Sequence, residues 1–344
     1  MLLVARLLQG LSTAIVTTFG YALLTEVVER EHLGRAMGYT NMAFTLGLLL
    51  GPVVGGLLYD YFGYFQVYLP AFALLGLEIL LRLMMIEKKK PNSSIGHAPS
   101  VAETARRTQS TNNDAFAKVR SEESEPLLHP APRLQSVNVY WILLSSPRFL
   151  VALIGLFILN SIACGFDSTV TPFIHDSFGM RATHAAILFL ALAVPMLLAP
   201  LAGRISDQYG PKLPIAVGLL LAALSLASLA FITELTHFPF LKMAVLLAIV
   251  GFAFDLALTP LRVEASLEVD RMENESPGLF GRNGANGRAF GLMNSMVAAG
   301  GLVGPLYAGF VRVAAGWEAL AYTNGAACVV VLVLVVLITG NRKQ

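Results

Sequence analysis

The chain has 344 residues, of which 56% are hydrophobic and only 13% charged, with a net charge of +2. Soluble domains carry roughly 25% charged residues. Here the shortfall is concentrated in long uncharged runs, which excludes an ordinary soluble globule and points to the membrane. Cys164 and Cys328 both lie in apolar runs, so neither a disulfide framework nor a cysteine metal centre is expected.

In chain order, nine stretches are long and apolar enough to cross a bilayer core as helices. They cover residues 3–25, 37–58, 66–86, 149–172, 184–203, 213–233, 241–262, 289–310 and 318–339. No basic segment precedes the first, so it does not read as a secretory signal. Lys and Arg orient the spans. Two lie in 27–36, nine in 87–148, two in 204–212, four in 262–288 and two at the C-terminus, whereas the opposite loops hold only Arg181, Lys242 and Arg312. The positive-inside rule places the basic loops in the cytosol. Residues 87–147 are polar and lack an apolar period, and are expected to form a disordered cytosolic linker. The domain expectation is 1–86 as part of an N-terminal helical half, 87–147 as linker and 148–344 as a six-helix half.

Residues 34–57 recur at 287–310 with a constant offset of 253, and ten of the 24 aligned pairs are identical, among them Gly34/Gly287, Asn41/Asn294, Gly47/Gly300, Gly51/Gly304 and Pro52/Pro305. A fixed-offset repeat means one structural unit used twice. Repeated helix bundles are typical of secondary transporters, which bind solute between the repeats. Spans one to three and seven to nine are then two copies of one three-helix unit, and spans four to six form a different unit without a copy. That order leads to the expectation of an N-terminally truncated form of a twelve-helix protein.

Gly47, Gly51 and Gly55 are four residues apart and share a helix face, with Pro52 directly after Gly51 and Gly56 after Gly55. Such a face lets a neighbouring helix approach closely, and the proline bends its own helix. Gly304-Pro305 echoes it. The segment resembles the antiporter motif in the fifth helix of the major facilitator superfamily. Arg6-Leu-Leu-Gln9-Gly10 is similar to that family's fourth-helix arginine motif. Gly203-Arg-Ile-Ser-Asp207-Gln-Tyr-Gly210-Pro-Lys212 is similar to its loop between helices eight and nine. Gly251-Phe-Ala-Phe-Asp255, with Pro260 following, resembles the tenth helix of the drug:proton antiporter branch, especially the vesicular amine transporters. Two departures stand out: Pro211 replaces a usual basic residue, and Asn294 stands where vesicular amine transporters carry a second acid. The resemblance implies an all-α polytopic bundle whose nine spans correspond to helices 4–12 of twelve.

Ionisable groups inside a span are costly and need a reason. Asp255 lies roughly 5 Å from the middle of the seventh span at ~1.5 Å per residue, and is the first candidate for proton coupling. Glu78 is deeper still in the third span, but Arg82 at i+4 suits an ion pair within the helix. Asp167 lies near the outer end of the fourth span, where it either lines the solute route or is solvated. Asn160 and Asn294 are candidates for solute or interhelical hydrogen bonds. Arg6 either snorkels or, as the resemblance implies, serves as a buried relay. Asp207 is positioned to accept hydrogen bonds from the start of the sixth span, and the resemblance makes Gly203, Asp207, Gly210 and Lys212 a cytosolic gate.

No nucleophile–base set, phosphate loop or metal-ligand cluster is present in the sequence, so neither an enzyme nor a cofactor is expected. Gly281-Arg-Asn-Gly-Ala-Asn-Gly reads as flexible loop. The expected function is proton-coupled efflux of a small organic solute, cationic or amphipathic, by a monomer that contacts lipid and no nucleic acid. The other reading is a truncated, non-transporting regulatory form. The plasma membrane is the expected location. Glu123-Ser-Glu-Pro-Leu127-Leu128, which looks like an acidic dileucine signal, would redirect the chain to vacuolar or endosomal membrane.

Overall fold

A computed structural model describes residues 2–63, 68–84, 139–179, 182–232, 238–276, 279–280 and 285–338. Residues 87–138 of the expected linker, the dileucine-like run at 123–128 and residues 281–284 of the glycine-rich run lie outside them. Among the described residues every element is helical. Met1–Val53 and Leu134–Gln344 make one compact unit and Val54–Arg133 a second.

The first unit contains α1 (Leu2–Val27), a 3-10 turn at Arg30–His32, and most of α2 (Leu33–Phe62). It continues with α4 (Val139–Ser145), α5 (Pro147–Phe178), α6 (Ala182–Ala193), a 3-10 turn at Pro195–Leu198, α7 (Ala199–Tyr209), α8 (Lys212–Leu229), α9 (Pro239–Glu275) and α10 (Asn286–Ile338). The second unit contains the end of α2 and α3 (Tyr68–Met84), whose described side chains are almost all exposed and apolar. Exposed apolar side chains also cover one side of α1, among them Leu7, Leu8, Leu11 and Phe19. A bilayer solvates such faces.

Three sequence expectations need correction. Residues 139–145, assigned to the linker, form α4 and pack inward through Val139 and Leu143; seven residues are too short to register as a span. The fifth span is not one rod. It breaks into α6, the turn and α7, because Pro195 and Pro200 each remove a backbone donor. The seventh span runs 13 residues beyond its predicted end. Its continuation is polar, so hydropathy ends where the helix does not. Val263, Ala265 and Val269 are buried there, and Arg271 pairs with Glu275 at 2.8 Å. The eighth and ninth spans are two helical stretches, as expected; within α10 they part at Gly316, whose φ of 87° is not helical.

α5 starts with Ser146 as its cap, accepting from the Phe149 N–H at 3.4 Å, and has Pro147 in its first turn. It ends at Gly179, in the left-handed conformation at φ 61°. The Ser146 hydroxyl also donates to Glu268 at 2.9 Å, and Arg148 approaches the same carboxylate at 3.8 Å. The cap of α5 is thereby tied to the extension of α9.

α5, α8, α9 and α10 form the core, with Leu156, Leu159, Leu219, Leu226, Phe254 and Val331 buried. Close approach rests on glycine. A Cβ at Gly304 would lie 2.2 Å from the Ser161 carbonyl oxygen of α5, and one at Gly251 would lie 2.0 Å from the Leu192 oxygen of α6. The two copies of the repeat differ here. Gly300 and Gly304 press on α5, whereas a Cβ at Gly47 or Gly51 meets nothing within 4 Å among the described residues. The expected close approach is therefore seen only in the second copy; the surroundings of Pro52, Gly55 and Gly56 are outside the described ones.

Gly304→Ala is expected to cost about 1–3 kcal/mol by overpacking. Gly51→Ala is expected to be neutral or to stabilise by about 0.5–1 kcal/mol through helix propensity. Melting of the detergent-solubilised chain, followed by tryptophan fluorescence, checks both. Equal losses at the two positions would contradict the packing described.

Candidate functional site

α1, α2, α5, α9 and α10 surround a cavity of about 590 Å³, within the range of small-molecule sites. Arg6, Gln9, Thr13, Thr17 and Tyr21 line it from α1, Asn41, Phe44 and Thr45 from α2, and Asn160 from α5. Asp255, Leu258 and Arg262 line it from α9, and Asn294, Val297 and Ala298 from α10. Arg6 and Tyr21 are 15 residues apart on α1, so the cavity runs roughly 22 Å along the helix. Tyr21 lies towards the end of the bundle that carries the basic loops, and Arg6 towards the other.

At the basic end, one amide joins three helices. Asn41 Oδ1 accepts from Arg262 Nη1 at 2.7 Å and from the Tyr21 hydroxyl at 3.1 Å. Asn41 Nδ2 donates to Thr259 Oγ1 at 3.0 Å. The Arg262 guanidinium lies over the Tyr21 ring, 5.4 Å from its centroid, and Tyr21 stacks on Phe290 of α10. The repeat partner of Asn41 plays a matching part. Asn294 Nδ2 donates to Thr17 Oγ1 at 3.0 Å and Thr18 Oγ1 at 2.8 Å, tying α10 to α1. Sequence reading singled out Asn294 and gave Asn41 only as one of the repeated identities. The signal available for Asn41 was that shared position in the repeat.

Asp255 is only 1% exposed. Its Oδ2 is enclosed and has no hydrogen-bond partner among the described residues. Arg262 follows seven residues later, two turns along the same face of α9, and no ion pair joins them among the described residues. A buried oxygen without a donor is expensive when charged, and a proton offsets that cost.

Asn160 Nδ2 donates to the Val297 carbonyl at 2.7 Å, so it bridges α5 and α10 while facing the cavity. Arg6 Nη1 donates to Gln9 Oε1 at 3.1 Å and is exposed at the cavity wall. Asp167 is exposed, lies seven residues beyond Asn160 and is not among the residues that line the cavity. Glu78 is exposed on α3 in the second unit, and the expected pair with Arg82 turns on a side chain outside those described.

Asp207 bonds elsewhere than expected. Its carboxylate accepts from the backbone N–H of Gly34 at 2.7 Å and of Arg35 at 2.9 Å, at the start of α2. The expected acceptors' role at the sixth span, α8, is not what it serves. The reason is steric: a Cβ at Gly203 would lie 2.0 Å from the Gly34 oxygen, so two glycines let α7 and α2 meet. The free N–H groups and positive dipole end of α2 then receive the carboxylate. Arg30 pairs with Asp270 of α9 at 3.1 Å on the same end. Gly210, at φ 80°, closes α7, and Lys212 Nζ donates to the Val336 carbonyl at 3.2 Å in the last turn of α10. No group of three or more potential metal ligands occurs among the described residues.

A sequence profile described as Major Facilitator Superfamily matches residues 1–273. The chain is 28% identical over 317 residues to the uncharacterized MFS-type transporter C18.02 of Schizosaccharomyces pombe, covering 91% of this chain and 68% of that one. It is 25% identical over 323 residues to the multidrug resistance protein MdtG of Salmonella arizonae, covering 92% and 67%. Its fold is similar to the crystal structure of the human organic anion transporter MFSD10 (TETRAN), with a TM-score of 0.58 at 18% identity over 93% of this chain and 67% of that one. A profile match over most of its length, on an all-helical fold of apolar spans, makes this a multi-pass integral membrane protein that belongs to the Major Facilitator Superfamily of transporters.

Proposed function

We propose that this chain exports a small organic solute, a drug, toxin or metabolite, in exchange for protons. Asp255 is the proton carrier. The observation that supports this most is a carboxyl buried at the wall of the cavity, with one oxygen enclosed and unbonded. An acid inside a span is functional by default, and a group that can be neutral in one stage of a cycle and charged in another is what exchange requires. Similarity to a multidrug resistance protein supports the outward direction.

The proposed cycle is alternating access. The helices of 1–86 and of 148–344 move against each other, with 87–147 as the linker. The basic end, read as cytosolic, is shut by three sets of contacts: Asp207 on Gly34 and Arg35, Arg30 on Asp270, and Asn41 on Thr259 and Arg262. Opening this end breaks all three. Hydrogen bonds to a charged acceptor contribute about 1.5–3 kcal/mol each, so the Asp207 contacts weigh most in the balance between states. The protein works as a monomer in the plasma membrane, unless the run at 123–128 redirects it to vacuolar or endosomal membrane.

Asp255→Asn is expected to reduce pH-gradient-driven solute movement in proteoliposomes to the level of empty vesicles, while solute counterflow without a gradient persists. Unchanged gradient-driven transport would sink the role of Asp255. Asp207→Ala is expected to shift the population towards opening at the basic end. Labelling of a Tyr21→Cys reporter, in a background lacking Cys164 and Cys328, by an impermeant maleimide from that side should rise several-fold, in keeping with a loss of about 1–3 kcal/mol. Unchanged labelling would remove Asp207 from the gate.

A further inference from the structure

We infer that the solute this cavity takes is an organic anion, a carboxylate carried on an apolar body, with Arg262 as the residue that holds the carboxylate. The inference rests on the exporter reading above and adds the chemical class of solute.

The fixed charges on the cavity wall come from two helices. α1 contributes Arg6, and α9 contributes Arg262 and Asp255. α2, α5 and α10 contribute only neutral side chains, the polar ones being Asn41, Thr45, Asn160 and Asn294. Two guanidiniums face one carboxyl, so the wall is positive in excess whether Asp255 carries its proton or not. An acid read alone suggests a cationic solute; the folded cavity sets two cations beside it.

The partners of the arginines sharpen this. Away from the cavity, Arg30 pairs with Asp270, Arg148 and Arg271 with Glu268, and Arg312 with Asp176. The two cavity arginines instead meet amide oxygens, Arg6 that of Gln9 and Arg262 that of Asn41. A neutral acceptor satisfies one donor without neutralising the charge, and Asp255, two turns from Arg262, acts on it through space with no ion pair between them among the described residues. Of the five N–H donors of a guanidinium, Arg262 commits one to Asn41 among the described residues, and its plane is steadied by the Tyr21 ring. That leaves a fork free for a carboxylate, the anion that guanidinium geometry matches best.

Position assigns the two arginines different tasks. Arg6 and the Tyr21 ring beneath Arg262 are separated by roughly 22 Å along α1, too far for one carboxylate to touch both. Arg262, at the closed end, anchors the head group. Leu258, Met196, Phe44 and Val297 offer the apolar wall for the rest of the solute. Arg6, exposed near the other end, attracts anions into the cavity.

A matched pair of probes tests this: pyrenebutyrate and pyrenemethylammonium, measured by equilibrium dialysis against the full chain in detergent. Pyrenebutyrate is expected to bind at least about tenfold more tightly than the cation. Arg262→Gln should remove most of that preference, Arg262→Lys should restore part of it, and Arg6→Gln should slow association more than it weakens binding. Monodispersity on size exclusion guards against misfolded variants. Equal binding of the two probes, or preference for the cation, would overturn the inference, as would an unaltered preference in a folded Arg262→Gln protein. The two readings fail separately. Anion preference in binding without pH-driven movement of pyrenebutyrate leaves the inference standing and removes the exporter. PH-driven movement of pyrenemethylammonium with no anion preference does the reverse.

Discussion

Helices in a bilayer gain little from burying apolar surface against one another, because lipid solvates it equally well. Packing in such a chain depends on polar side chains that cross between helices and on backbones that come close enough for dispersion contacts. Asn41 is where three of the polar crossings meet. Its single amide accepts from α1 and α9 and donates to α9 again, and it holds Arg262 over Tyr21. Without it, the guanidinium of Arg262 would face the cavity with no intramolecular acceptor among the described residues, and α1 and α2 would lose their main polar tie to α9.

Glycine provides the second device, used selectively. Gly34 and Gly203 bring α2 and α7 together so closely that the Asp207 carboxylate reaches two backbone donors at the start of α2. Gly304 performs the close approach between α10 and α5. The repeated positions Gly287 and Gly51 have no such neighbour among the described residues. In the pairs Gly34/Gly287, Gly38/Gly291, Gly47/Gly300 and Gly51/Gly304 one member is pressed against a partner, so the two copies divide these contacts between them.

Scaffold and chemistry occupy different parts of the chain. Repeated residues build the crossings: Asn41 and Asn294 tie the first two helices to α9 and α10, and the glycines set distances. Asp255, Arg262 and Arg6, the charged residues of the cavity, all lie outside the repeated stretch. The repeated frame thus surrounds an unrepeated set of charges.

Hydropathy and charge distribution by themselves determined the all-helical membrane class, the approximate spans and the depth of Asp255, because the cost of charge in lipid is written into every residue. Spacing also marked Gly47, Gly51, Gly203 and Asp207 as special. It could not say what each would touch. Asp207 was expected to serve α8 and serves α2, since the donor was chosen by the meeting of Gly203 and Gly34, residues 169 positions apart in sequence. The length of α9 was hidden because its continuation is polar and is held by contacts with Ser146 and Arg148. The charge sense of the cavity was hidden for the same reason. Arg6 read as a snorkelling or relay cation and Asp255 as a proton site, and only the folded chain, with α1 packed on α10 and Arg262 over the Tyr21 ring, puts them and Arg262 on one wall.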